Sequence, residues 1–258
     1  MKGRLRTDMQ PGRTDTDCTD GHGLRLSERL ARAADAMVDK LSVAVESALD
    51  LLYPPALYCS CCGNLIDESR TYHLCDHCIA HIRWDGAEHK NLDGMKILRC
   101  TQYGLYERTL IFDLKYNGKT YIARDIGEIM ADRLALAEED FDVIVPVPMW
   151  ERKERDRGFN QAALIGKYLG KRTGKPCYDH CLVRVAETRP MRGLSPTERE
   201  ENVKGKFALS EKYVTMLREK RVLLIDDFYT TGSTARACHA ALMDGAPASV
   251  TFLAFAAK

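Results

Sequence analysis

The sequence predicts an α/β fold in which helices cover both faces of a parallel sheet. Three apolar segments rich in β-branched residues support this prediction, at residues 142–148 (DVIVPVP), 221–227 (RVLLIDD) and 249–256 (SVTFLAFA). Strands that are apolar on both faces are typical of parallel sheets, because such sheets are buried on both sides. Helical stretches separate these segments along the chain, and this alternation of strands and helices is the pattern of an α/β protein.

The composition agrees with a folded protein that has no strong overall charge. The 258 residues are 45% hydrophobic and 29% charged, with a formal net charge of +1. Such a chain can bury a sizeable core, and its net charge points neither to a nucleic-acid coat nor to a polybasic membrane binder. No apolar run approaches the roughly 18–20 residues of a membrane span, and the first residues lack the apolar centre of a signal peptide. We therefore expect a soluble, cytoplasmic protein.

The first 53 residues divide into two predicted parts. Residues 1–25 are polar and without periodicity, which predicts a flexible tail. Residues 26–53 carry apolar side chains every three or four positions, which predicts one amphipathic helix that begins near Ser27 and ends before Pro54. Its polar face mixes both charge signs, so packing on its own protein is favoured over a lipid surface, and a partner surface stays open.

A cysteine-rich module is predicted over residues 54–90. Five of the ten cysteines lie between positions 59 and 78, and this clustering favours a metal site over a disulfide scaffold. Two Cys-x-x-Cys pairs separated by a short loop are the pattern of a structural zinc ribbon. The predicted zinc ligands are Cys59, Cys62, Cys75 and Cys78. Cys61 competes with Cys59 for the first pair, and a nucleic-acid-contacting ribbon is the functional alternative.

The remaining elements of the α/β domain follow in order over residues 91–258. We predict a strand at 95–103, helices at 106–136 with a break at 117–118 and at 158–171, a short strand at 181–185, and a helix at 233–244.

The most informative segment is VLLIDDFYTTGST, at residues 222–234. An apolar strand runs into two carboxylates, and a loop of small hydroxyl residues and one glycine then leads into a helix. Ligands of open α/β sheets bind at the carboxyl ends of the strands. Free N–H groups at the start of a helix suit a phosphate, whereas the two acids suit sugar hydroxyls or Mg²⁺. The segment therefore predicts a site for a sugar 5-phosphate.

This segment resembles the signature of type I phosphoribosyltransferases, which bind phosphoribosyl pyrophosphate (PRPP). Together with the cysteine pairs, four further motifs narrow the resemblance to the ComF family of zinc-ribbon, phosphoribosyltransferase-like competence proteins. They are LKYNGK (114–119), VPVP (145–148), RGFNQA (157–162) and ENVKGKF (201–207). The resemblance runs in order from about Leu49 to Lys258, and it implies a type I phosphoribosyltransferase-like domain preceded by the zinc-ribbon module.

The resemblance also implies roles for individual residues. Asp226 and Asp227 would be the candidate catalytic residues, in contact with the ribose hydroxyls. The 5-phosphate would be held by Thr230, Thr231, Gly232, Ser233 and Thr234. The diphosphate would be bound by Arg152, Lys153, Arg155 and Arg157. A mobile loop over residues 187–202 would supply Arg189, with Arg192 and Arg199 as further candidates.

The implied activity is displacement of pyrophosphate from the anomeric carbon of PRPP with the assistance of Mg²⁺. The resemblance also implies a link to DNA uptake. Two alternatives stay open: a PRPP sensor without catalysis, and an adaptor for single-stranded DNA or for DNA-uptake proteins. The sequence identifies neither the acceptor nor the oligomeric state.

Overall fold

The computed structural model describes residues 57–67, 69–86, 90–92, 94–188 and 193–258, and within these ranges seven strands form two sheets. The tail and the helix predicted over residues 1–53 lie outside the described residues, as do Arg189 and Arg192. The strands are β1 (Lys90–Leu92), β2 (Met95–Gln102), β3 (Val143–Pro146), β4 (Leu182–Arg184), β5 (Phe207–Leu209), β6 (Arg221–Tyr229) and β7 (Ser249–Ala257).

The main sheet has the strand order β1-β2-β7-β6-β3. Strands β2, β7, β6 and β3 are parallel to their neighbours, and only β1 pairs antiparallel, with β2. The register joins Ile225 of β6 to Leu253 of β7 and to Pro146 of β3. Strands β4 and β5 form a separate antiparallel pair. The carboxyl ends of β3 and β6 therefore lie side by side at one edge of the sheet.

Eight α-helices complete the described part of the chain. They are α1 (Asp76–His81), α2 (Leu105–Tyr116), α3 (Ile122–Leu136), α4 (Glu151–Arg157), α5 (Gln161–Thr173), α6 (Pro196–Val203), α7 (Glu211–Leu217) and α8 (Ser233–Leu242). None of the helices in the described ranges is both long enough and apolar enough to cross a membrane.

Two apolar clusters cover the two faces of the sheet. In β6, Leu223 and Ile225 pack into the cluster that contains helices α3 and α5, whereas Val222 and Leu224 pack into the cluster that contains α8. All four side chains are buried, as expected for alternating residues of a central strand with both faces covered. The predicted α/β fold with a parallel sheet flanked by helices is confirmed.

Two segments contain more regular structure than the sequence pattern predicts. Residues 151–157, for which the sequence pattern predicts no regular element, form α4, which ends at Gly158 with a left-handed φ of 90°. Residues 196–217 contain α6, β5 and α7, and the first of these begins with a capping box between Ser195 and Glu198. These elements are short and partly exposed, so they lack the long apolar period on which the prediction depends.

Candidate functional site

Four cysteine sulfurs converge in the module that precedes the main sheet. The Sγ atoms of Cys59, Cys62, Cys75 and Cys78 all lie within 4.8 Å of one another, and those of Cys62 and Cys75 are 3.7 Å apart. Tetrahedral zinc with bonds of about 2.3 Å requires sulfurs about 3.8 Å apart, so the residues present fit this metal. The cluster can therefore bind a structural metal such as zinc, and its four thiolates leave no open position for catalytic water.

The local backbone brings these sulfurs together and favours ionisation of one of them. Gly63 takes a left-handed φ of 75° directly after the first pair, and Cys75 is the N-cap of α1. Burial opposes ionisation of Cys59, but hydrogen bonds from the backbone N–H groups of Cys62 and Cys75 outweigh it and lower the pKa of the Cys59 thiol to about 7. A thiolate is the form that binds metal.

Cys61 lies outside this group of four. Its Sγ is 3.9 Å from the carbonyl oxygen of Tyr106, and burial raises the pKa of its thiol to about 12. Cys59 and Cys62 thus face the second cysteine pair, whereas Cys61 faces α2.

Two buried carboxylates attach the cysteine module to the helices of the α/β domain. Asp125 of α3 accepts a hydrogen bond from the Ser60 hydroxyl at 2.5 Å, and its other oxygen is 2.7 Å from Nδ1 of His73. Glu107 of α2, which is fully buried, accepts from the backbone N–H of Arg83 at 2.7 Å. Buried carboxylates are tolerated only when they are paired, so these contacts fix the module against α2 and α3.

The predicted phosphate loop connects β6 to α8. Gly232, the N-cap of α8, has a left-handed φ of 77°, and the hydroxyl oxygens of Thr231 and Ser233 are 3.2 Å apart. A Cβ on Gly232 would lie 2.8 Å from Leu92 Cδ2 and 2.9 Å from the Tyr229 hydroxyl oxygen. The left-handed backbone favours glycine here, and any other residue would also displace the side-chain ends of Leu92 and Tyr229.

A pocket of about 570 Å³ opens at the carboxyl ends of β3 and β6. Among the residues predicted for the site, those that line it are Lys153, Arg157, Arg199, Asp226, Asp227, Thr230 and Thr234. Thr231, Gly232 and Ser233 lie in the loop itself and do not line the pocket. Arg152 and Arg155 are exposed on α4 and also lie outside its lining, and Arg155 pairs with Glu151 at 2.9 Å instead. Four cations within seven residues of one helix cannot all face the same side, and only Lys153 and Arg157 of the four line the pocket.

The two adjacent acids have different environments. Asp227 is buried, and its carboxylate accepts from the Gln161 amide at 3.1 Å and forms an ion pair with Lys115. Burial opposes ionisation of Asp227, but the Lys115 ammonium together with hydrogen bonds from the Asp226 and Gln161 side chains outweighs it and holds the pKa of this carboxyl below its ordinary value. Asp226 is half-buried, and burial, followed by the charge of Asp227, raises the pKa of its carboxyl well above the ordinary range. The positive charge of Lys115 and the raised pKa of Asp226 both reduce the repulsion between this acid pair and a phosphate.

Several lining residues were missed or left undecided by the sequence. Lys115 and Tyr116, two residues of the motif LKYNGK to which the sequence assigned no role, both line the pocket. Gln161 lies in RGFNQA, a motif used for the family resemblance, but the sequence did not predict its hydrogen bond to Asp227. Arg184 and Thr188 reach the pocket from the end of β4 and the residues after it, and no local pattern identifies them because only the fold brings β4 to this edge.

The fold and the site define a class: an α/β protein with a four-cysteine module and a cation-lined pocket beside a phosphate-type loop. No protein-family model matches the chain. Competence protein F of Haemophilus influenzae is 28% identical over 185 residues, which are 67% of this chain and 80% of that protein. DNA utilization protein YhgH of Escherichia coli is 26% identical over 201 residues, which are 74% of this chain and 86% of that protein. Competence protein ComFC of Bacillus subtilis is 31% identical over 110 residues, 42% of each chain. The similarity to these three proteins supports membership of the ComF family.

Solved structures similar to this one are phosphoribosyltransferases and an amidotransferase. Glutamine PRPP amidotransferase from B. subtilis is 20% identical and has a TM-score of 0.35, covering 51% of this chain and 25% of its own. Adenine phosphoribosyltransferase from Leishmania tarentolae is 13% identical and has a TM-score of 0.34, and the match covers 55% of this chain and 73% of that protein.

Proposed function

We propose that the chain is a phosphoribosyltransferase-like protein that binds PRPP in the pocket at the ends of β3 and β6 and serves in competence-related DNA uptake. One observation carries the proposal: a single pocket of about 570 Å³ combines Asp226 and the phosphate-type loop with several cations on other elements. The relatives named for competence and DNA utilization support the link to DNA uptake. A cytosolic location is part of this proposal.

The proposed orientation of PRPP follows from the charges that line the pocket. The loop between β6 and α8 offers N–H groups and hydroxyls to the 5-phosphate, with Thr230 and Thr234 at the pocket wall. Arg157 and Lys153 of α4 line the other side, where they meet the diphosphate. Asp226 is the acid that contacts the ribose hydroxyls, because Asp227 is already engaged by Lys115 and Gln161.

The proposed reaction is a substitution at the anomeric carbon. The bond from this carbon to the diphosphate oxygen breaks, pyrophosphate leaves with the bonding electrons, and an acceptor forms the new bond. Arg157 and Lys153 stabilise the charge that develops on the leaving group. Release of pyrophosphate in the presence of an acceptor base distinguishes this transferase from a protein that binds PRPP without reaction.

The test of PRPP binding separates the sugar contact from the phosphate contact. We expect Asp226→Asn to weaken PRPP binding up to about tenfold, because a hydrogen bond to the ribose hydroxyls contributes about 0.5–1.5 kcal/mol. Binding of inorganic phosphate should stay the same or improve, because a carboxyl next to the anion has been removed. Isothermal titration calorimetry measures both ligands, and Asp244→Asn, an exposed acid outside the pocket lining, is the matched control. Equal losses for PRPP and phosphate would contradict the assignment.

A second candidate function is direct binding of single-stranded DNA. Phe112 and Tyr116 of α2 are 47% and 65% exposed, with ring centroids 4.9 Å apart. The guanidinium carbon of Arg157 is 5.3 Å from the Tyr116 ring centroid. Exposed aromatic rings beside a cation are the surface on which the bases of single strands stack.

We expect Phe112→Ala to weaken binding of an oligothymidylate about tenfold, because stacking contributes about 1–3 kcal/mol per base. PRPP binding should not change, since Phe112 does not line the pocket. Fluorescence anisotropy at several salt concentrations measures the DNA affinity, which should fall steeply as salt rises. Tyr121→Ala, an exposed aromatic at the start of α3, is the control. Undetectable binding at low salt, or an unchanged affinity of Phe112→Ala, would remove this candidate.

A further inference from the structure

A lysine lies at the acid pair in the pocket. The Nζ atom of Lys115, the penultimate residue of α2, forms an ion pair with Oδ2 of Asp227. The Lys115 side chain is 19% exposed and that of Asp227 only 3%. Burial disfavours the charged ammonium, but the Asp227 carboxylate outweighs it and raises the pKa of Lys115. The lysine is therefore a fixed, charged part of the pocket wall.

The remaining oxygens of the acid pair are largely engaged as well. Oδ1 of Asp227 accepts from the Gln161 amide at 3.1 Å, and Oδ1 of Asp226 accepts from the backbone N–H of Asp227 at 2.9 Å. The Asp226 side chain also forms a hydrogen bond with the Asp227 side chain, but no cation pairs with it as Lys115 pairs with Asp227. Asp227 thus acts as an anchor for Lys115 and Gln161, and Asp226 is the acid left for a ligand.

These residues do not fit a magnesium ion held by the protein. Mg²⁺ demands octahedral oxygen ligands at about 2.0–2.1 Å, and an ammonium on one carboxylate blocks that carboxylate by position and by charge. Within the described ranges, the four-cysteine cluster is the only group of three or more metal-binding side chains. The Mg²⁺ implied by the family resemblance therefore has no site on this acid pair before a phosphate ligand is present.

We propose that Lys115 is the resident counter-ion of the acid pair and takes the position that a divalent cation would otherwise occupy. Lys115 is a positioning residue, because it keeps Asp227 ionised and in place beneath the ligand site. The ligand-free pocket then receives a sugar phosphate against a fixed ammonium and a single carboxyl, Asp226. The identity of the ligand as a sugar phosphate rests on the proposed function. The absence of a divalent-cation site at the acid pair does not depend on that function.

The test adds Mn²⁺, without any phosphate ligand, to the full chain whose four-cysteine cluster has been loaded with zinc. Electron paramagnetic resonance counts bound Mn²⁺ at concentrations up to about 1 mM, the range of weak oxygen-ligand sites. Wild type is expected to have no Mn²⁺ site at Asp226, so Asp226→Asn should bind as much Mn²⁺ as wild type. Lys115→Met should gain about one bound Mn²⁺ per chain, because the two carboxylates then lack a counter-ion. Lys115→Met combined with Asp227→Asn should lose this ion again.

Two further variants make the result decisive. Lys115→Arg keeps the positive charge and should bind no additional Mn²⁺. Lys119→Met removes a lysine of the same segment that pairs with Asp113 at 2.7 Å, outside the pocket lining, and should also gain nothing. If Lys115→Met does not fold, the wild-type measurement still decides: Mn²⁺ bound to wild type and lost in Asp226→Asn would overturn the proposal.

The outcome is independent of whether PRPP binds. A Mn²⁺ site gained only by Lys115→Met, together with no affinity of wild type for PRPP, would support the counter-ion role and reject the proposed function. PRPP binding with no gain of Mn²⁺ in folded Lys115→Met would reject the counter-ion role alone.

Discussion

Replacing Cys75 by serine is expected to abolish metal binding and to unfold the cysteine module. Apparent binding free energies of structural zinc in zinc-finger peptides are about 10–16 kcal/mol, and this energy is also folding energy for a module without a large core of its own. The module packs on α2 and α3 through Glu107 and Asp125, so its loss exposes buried carboxylates as well as apolar surface. The variant should therefore precipitate more readily and unfold at a lower temperature than wild type.

Elemental analysis of the purified protein should find about one zinc per chain in wild type and none in Cys75→Ser. Cys61→Ser is the matched control, because Cys61 lies in the same knuckle but outside the group of four sulfurs. It should keep its zinc. An equal loss of zinc in both variants, or a metal-free wild type with unchanged thermal stability, would contradict the assignment of the four ligands.

Replacing Gly232 by alanine is expected to remove binding of inorganic phosphate and to weaken PRPP at least 100-fold. The left-handed backbone at φ 77° costs an L-residue about 1–2 kcal/mol. The added methyl also meets Leu92 and Tyr229 at less than 3 Å, so these two side chains or the loop itself must shift. The N–H groups that would contact the phosphate then lose their common direction, and charge-assisted contacts of about 1.5–3 kcal/mol each are lost together.

Gly174→Ala separates the loss of binding from backbone strain. Gly174 has a similar φ of 70° at the end of α5, but a Cβ there meets no atom within 4 Å. Both variants should therefore lose stability from strain, measured as a lower melting temperature, whereas only Gly232→Ala should lose phosphate in calorimetry. Phosphate affinity equal to that of wild type in Gly232→Ala would show that the anion binds elsewhere.

The proposed arrangement also explains how a phosphate could bind next to two carboxylates. Two adjacent aspartates would repel an anion if both were ionised and unpaired. Lys115 compensates the charge of Asp227, and the raised pKa of Asp226 lowers the negative charge beside it. The pocket is thus less acidic than its sequence suggests, and the lysine responsible is far from the acids along the chain.

The sequence by itself determined the elements whose residues act together locally. Strands β3, β6 and β7 were predictable because runs of apolar, β-branched residues have few other stable environments than a sheet covered on both faces. The two cysteine pairs were predictable because metal ligation requires ligands at fixed short spacing, and the loop before α8 because its small residues and glycine form a local turn. These patterns also carried the family resemblance.

The tertiary structure alone decided which side chains share the pocket and which do not. Helix α4 turns Lys153 and Arg157 toward the pocket and leaves Arg152 and Arg155 on the outside, a division that depends on how the helix packs. The pairing of Lys115 with Asp227 joins residues 112 positions apart, and β4 brings Arg184 to the same edge. Contacts of this kind depend on long-range packing and on the burial that makes a charge pair necessary, and neither is encoded in a local pattern.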